Sequence, residues 1–153
     1  MLFRSPEALA QARKVFERDP NFVGVRQELA RVYINLGRCP EALAALQHSA
    51  DQPLTLLRGV RGYTYAKCGR RAEARAELNR LLGLARAGEY VSHYALAVIE
   101  AGLGDGDQAI AELEKAYIER APAIFVMKLE PAFAPLRSDP RFVAIARKVG
   151  LTI

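Results

Sequence analysis

Three stretches of this chain repeat one another, and that repeat limits the fold more than any other feature. Residues 29–46 (LARVYINLGRCPEALAAL), 61–78 (RGYTYAKCGRRAEARAEL) and 96–113 (LAVIEAGLGDGDQAIAEL) each read as a helix ending at a glycine, a short turn and a second helix. The turn glycines Gly37, Gly69 and Gly104 lie 32 and 35 residues apart. A self-similar unit of this length cannot bury its apolar face alone, so its copies must stack.

The repeated residue types have physical reasons. Two helices approach closely only where side chains are small. Ala30, Gly62 and Ala97 stand seven residues before each turn glycine, and Ala42, Ala74 and Ala109 stand five after it. Leu46, Leu78 and Leu113 follow those alanines at i+4, which puts a large apolar group on the same face one turn later. The glycines suit the left-handed conformation that ends a helix, which other residues adopt at a cost. Pro20, Pro53 and Pro122 each fall just after a second helix. The expectation is an all-α chain of antiparallel hairpins forming one domain over 1–153. It divides into a half repeat at 5–20, full repeats at 21–53, 54–87 and 88–122, and a C-terminal cap at 123–153.

In the half repeat, Ser5-Pro6-Glu7 supplies a cap, a first-position proline and an early acid. Ala8, Ala12 and Val15 match the spacing of the later second helices, so the chain begins as if in mid-repeat. The missing neighbour should leave part of the Leu9, Ala12 and Phe16 surface uncovered. A trimmed chain, a short natural variant or a homodimer through this helix would each account for that. After Arg120 the pattern predicts a further apolar helix, a proline-bounded turn and a terminal helix capped by Asp139, begun by Pro140 and ended by Gly150. A stacked array needs an atypical end, and Phe125, Leu129, Phe133, Leu136, Phe142 and Ile145 are expected to cover it.

The three repeats resemble tetratricopeptide repeats, whose period is about 34 residues. The stretch Met127-Lys128-Leu129-Glu130-Pro131-Ala132-Phe133-Ala134-Pro135-Leu136-Arg137-Ser138-Asp139-Pro140-Arg141-Phe142 is similar to the segment that closes such arrays in bacterial signalling and regulatory proteins. The resemblance implies a right-handed superhelix (a solenoid) whose concave face, lined by the first helix of each repeat, accepts a partner peptide or helix. Arg61 and Glu100 depart from the pattern, standing where the family prefers large apolar or aromatic residues. Val60 and Ala95 occupy places where the family's clamp for chaperone tails needs polar groups, which argues against that subclass.

Helical spacing picks out the groove residues. Gln27, Arg31, Ile34 and Asn35 share one face of the first full repeat's first helix. Leu56, Gly59, Tyr63, Ala66 and Lys67 form the matching face of the next, and Val91, Tyr94, Val98 and Ala101 that of the third. Gln27, Arg31, Asn35, Tyr63, Lys67 and Tyr94 are the expected partner-binding residues, with a basic and amide end running into an aromatic one.

Charge supplies a second reading. The formal net charge of +5 is uneven: residues 1–88 hold fifteen Lys and Arg against eight Asp and Glu, and residues 89–153 hold seven against nine. The basic segment 58–86, with Arg58, Arg61, Arg70, Arg71, Arg75 and Arg80, would attract nucleic acid or an acidic partner. Its interleaving with Glu73 and Glu77, and the scarcity of base-stacking aromatics beyond Tyr63 and Tyr65, favour an ordinary solvated face over nucleic acid.

Catalysis has little to draw on. His48 and His93 lie in different repeats, neither beside an acid and a nucleophile, and His93 reads as a packed histidine. No pattern calls for a metal ion or cofactor, and Gly102-x-Gly104-x-Gly106 is a helix turn rather than a phosphate cradle. Cys39 and Cys68 form no CxxC pair and read as small space-fillers in a reducing cytoplasm. No run approaches the roughly 20 apolar residues of a membrane span, and no secretory signal is evident. The expectation is therefore a soluble, non-catalytic cytoplasmic interaction module.

Overall fold

The computed structural model describes residues 6–20, 22–47 and 55–152, apart from the side chains of Val23, Thr55 and Leu56. Ser5, His48 and Pro53 lie outside these residues. Eight α-helices follow in order among the described residues: α1 (Pro6–Arg18), α2 (Val23–Asn35), α3 (Cys39–Leu46), α4 (Thr55–Lys67), α5 (Arg71–Arg86), α6 (His93–Leu103), α7 (Gly106–Ile118) and α8 (Pro140–Lys148). No strand occurs among them. The helices α2–α3, α4–α5 and α6–α7 form antiparallel hairpins, and α4 packs most extensively against α6.

Each hairpin turns as its glycine requires. Gly37, Gly69 and Gly104 have φ of 71°, 76° and 85°. In the first turn the Gly37 N–H donates to the Ile34 carbonyl and the Arg38 N–H to the Tyr33 carbonyl, which satisfies carbonyls the ending helix leaves open.

The repeated small residues are buried, as are the leucines that follow them. Gly62 shows why size matters there. A Cβ at this position would lie 2.7 Å from Ile99 Cγ1. The close approach is thus between first helices of successive hairpins, α4 and α6, rather than within one hairpin. Helix α6 is enclosed on nearly all sides, with Tyr94 through Ile99 all buried, as expected for a helix apolar all round.

The stripe Leu9, Ala12 and Phe16 packs on Leu29, Val32, Tyr33 and Ala42 of α2 and α3, with Leu9 buried and Ala12 and Phe16 half-buried, so part of it stays uncovered as expected. Val15 is the large apolar residue that α1 exposes. Two expectations about the ends are corrected. The helix expected after Arg120 is replaced by two 3-10 turns, Pro122–Val126 and Pro131–Leu136. Pro122, Pro131 and Pro135 lack the N–H that a continuous α-helix needs. Finally, Phe133, Phe142 and Ile145 are buried and Leu136 packs against them, but Phe125 and Leu129 are 64% and 52% exposed. The 3-10 path turns Ile124, Met127 and Glu130 inward in their place. Helix α8 follows expectation: Asp139 accepts from the Arg141 N–H at 2.8 Å, Pro140 opens the helix and Gly150 (φ 86°) follows it.

Candidate functional site on the first helices

The expected groove residues converge, but onto the chain's own cap. Arg31, 8% exposed on α2, pairs through Nη2 with Glu130 Oε2 at 2.7 Å, across 99 residues of sequence. Its Nη1 reaches Glu28 at 3.3 Å. Glu130 sits between the two 3-10 turns and is itself buried. Three residues on, Phe133 meets Tyr94 of α6 edge to face, with ring centroids 5.5 Å apart and an interplanar angle of 84°. The segment around 124–136 therefore lies along the face that α2, α4 and α6 share.

The electrostatics follow from this burial. Tyr63 on α4 is pushed up to about 12, first by desolvation and then by the negative charge of Glu130, with Arg31 opposing. The same two causes push Tyr94 up further, and its buried hydroxyl has no hydrogen-bond partner among the described residues. Burial alone would pull the Arg31 guanidinium down, but Glu130 and Glu28 outweigh it and hold it above its ordinary value. The face is thus a desolvated ion pair beside an aromatic shelf, in which the loss of either charge would leave the other buried and uncompensated.

Of the six residues picked from the sequence, Gln27, Arg31, Tyr63 and Tyr94 are buried. Asn35 is half-buried and Lys67 exposed, near the C-terminal ends of α2 and α4. Val60 and Ala95 are buried too, in the packing between hairpins. The arginines of the basic segment are largely taken up internally. Arg58 and Arg61 face Glu77, Arg70 pairs with Glu73 and Arg71 donates to the Leu103 carbonyl, while Arg75 and Arg80 stay on the surface.

Two tertiary contacts lie beyond any sequence motif. Cys39 and Cys68 form a disulfide, with Cα atoms 5.6 Å apart, so they are not separate space-fillers. Stacking places the start of α3 beside the end of α4, and the cysteines no longer argue for a reducing compartment. His93 opens α6 with its ring on the surface side, its Nδ1 2.6 Å from Glu112 Oε2 of α7, and its backbone N–H donating to Glu119. It does have a neighbouring acid, supplied across the hairpin. A concavity of about 640 Å³ also opens between α1, α2 and α3. There Arg26 lies over the Phe16 ring and Arg13 over that of Tyr33, which Arg38 also covers. Nothing local in the sequence showed that three helices would gather these residues.

No group of three His, Cys, Asp or Glu side chains is placed to hold a metal ion among the described residues, and no helix there is long and apolar enough to cross a membrane. Comparison with known proteins gives two family models, each described as a tetratricopeptide repeat, at residues 4–53 and 57–87. No curated protein and no solved structure matches the chain. The two matches together span more than half of the chain, and the third hairpin repeats their turn, small-residue and leucine positions: the chain belongs to the tetratricopeptide-repeat family.

Proposed function

We propose that this chain is a non-catalytic scaffold that binds a peptide or helix of a partner protein along the concave side formed by α2, α4 and α6. The observation that carries this is the docking of the cap segment on that side. A stretch of chain in two 3-10 turns already lies there, held by the Arg31–Glu130 pair and the Tyr94–Phe133 contact. The face therefore has the chemistry to hold a polypeptide segment. A partner lies over the cap rather than beneath it, meeting Asn35 and Lys67 at the helix ends and the outward side chains Phe125, Val126 and Leu129. Gln27, Arg31, Tyr63 and Tyr94 then act from below, by fixing the cap that forms the floor. A role in bacterial signalling or regulation is supported by the likeness of 127–142 to the closing segment of arrays in such proteins.

A partner captured from lysate and then purified would test this by backbone amide shifts on the isotope-labelled chain. Shifts concentrated at Asn35, Lys67 and 125–129, with binding weakened by Lys67→Ala and by Phe125→Ala, are the expected result. Shifts confined to the outer faces of α5 and α7 would overturn the assignment.

A further inference from the structure

Arg61 is one of the two residues at which the chain departs from the family pattern, and it is also where buried charge fails to balance. It is 5% exposed, in α4, and its Nη2 meets Glu77 Oε1 at 2.7 Å. Arg58, one turn earlier, approaches the same carboxylate at only 3.8 Å. Two guanidinium groups thus share one acid. Arg58 Nε and Nη1, Arg61 Nε and Glu77 Oε2 are buried without a hydrogen-bond partner among the described residues. Buried donors on a cation are costly to leave unmade.

Arg61 also forms part of the wall of a concavity of about 170 Å³ between α3, α4 and α5. The other walls are Leu43, Leu46, Gln47, Tyr65 and Arg70. Arg70 lies over the Tyr65 ring, its Cζ 5.0 Å from the centroid, and its Nε and Nη2 both meet Glu73 Oε1 at 2.7 Å. The polar groups of the wall are two guanidiniums, an amide and a phenol, with no carboxylate among them. Arg61 and Tyr63 are separated by about 200° around α4, so this concavity faces away from the side that carries the cap.

We infer that the concavity between α3, α4 and α5 is a binding site for a small tetrahedral oxyanion of the phosphate class, held by Arg61 and Arg70 with Gln47 and Tyr65 at its edge. Gln47 follows α3, Arg61 and Tyr65 belong to α4 and Arg70 precedes α5, so polar groups border the space on three sides, which suits an anion with oxygens in several directions better than a planar carboxylate. Charge-assisted hydrogen bonds from guanidinium to phosphate are the strong kind. The excess positive charge of the Arg58–Arg61–Glu77 group supplies the attraction. Leu43 and Leu46 limit the space, so a single anionic group fits and a nucleic-acid backbone does not.

The test is a titration of the full-length, isotope-labelled chain with inorganic phosphate, ionic strength held constant with sodium chloride. The expected result is saturable shifts of the Gln47, Tyr65 and Arg70 amides and of the Arg61 Nε–H. Arg70→Gln, checked for folding by circular dichroism, should weaken phosphate binding by about tenfold, whereas Arg86→Gln, outside the concavity, should leave it unchanged. Arg61→Lys, checked for folding by circular dichroism, should weaken it as well, because a point charge loses the fork. Sodium acetate at equal ionic strength should move these signals far less. Non-saturating shifts spread over all surface arginines, equal effects of Arg70→Gln and Arg86→Gln, or acetate binding as tightly as phosphate would each overturn the assignment.

Discussion

The Arg31–Glu130 pair shows how much a single buried charge depends on its neighbour. Removing one partner leaves the other desolvated, so Arg31→Ala should cost about 3–5 kcal/mol in urea unfolding. The double variant Arg31→Met, Glu130→Leu should recover most of that loss, because apolar groups of similar size need no pairing. Glu100 gives a pH-dependent case. Burial raises its pKa, with Asp105 and Glu112 adding to the rise and Arg75 opposing it. The folded state then holds this proton more tightly than the unfolded chain, so stability falls as pH rises through the interval above the ordinary carboxylate value of 4.5. Glu100→Gln should therefore raise the thermal midpoint at pH 7 and leave it unchanged at about pH 3, where the carboxyl is protonated in both states. Scanning calorimetry at the two pH values decides this.

The hairpin is the element on which the array is built, and its two glycine uses differ. At Gly104 the constraint is conformational: φ is 85° and nothing lies within 4 Å of where a Cβ would stand. Gly104→Ala should cost about 1 kcal/mol, from backbone strain alone. At Gly62 the constraint is space, since the added methyl would press on Ile99 of α6. Gly62→Ala should cost about 1–3 kcal/mol, and a double-mutant cycle with Ile99→Ala should show coupling that a cycle of Gly104→Ala with Ile99→Ala lacks. Both glycines were legible from their places in the repeat. That Gly62 serves the contact between hairpins was not, because spacing along one helix does not say which neighbour it meets.

For the molecule as a whole, the Cys39–Cys68 bond ties the first hairpin to the second across a sequence separation of 29. In the chain-entropy account a loop of this size contributes about 3–4 kcal/mol by restricting the unfolded state. A reductant should lower the denaturant midpoint of the chain accordingly, and have no effect on the Cys39→Ser, Cys68→Ser variant. The cap acts at the other end and on a longer range. Through Glu130 and Phe133 it joins α2 to α6, so truncation after α7 would expose Tyr63, Tyr94 and Arg31 together. The same docking separates the two proposed surfaces, with a partner meeting the outside of the cap and an oxyanion entering between α3, α4 and α5.

By itself the sequence determined the hairpins, their turns and the small residues at their contacts, because these depend on periodicity and on backbone conformations that glycine and proline set locally. It also marked Arg61 as out of pattern. Only the tertiary structure decided that Arg31, Tyr63 and Tyr94 look onto the chain's own Glu130 and Phe133, that Cys39 and Cys68 are neighbours, and that α1 spends its apolar stripe on α2 and α3. Each of these joins residues from different helices. Helical spacing fixes the face on which a side chain lies, but the occupant of that face is chosen by the stacking of the repeats and the path of the proline-broken cap.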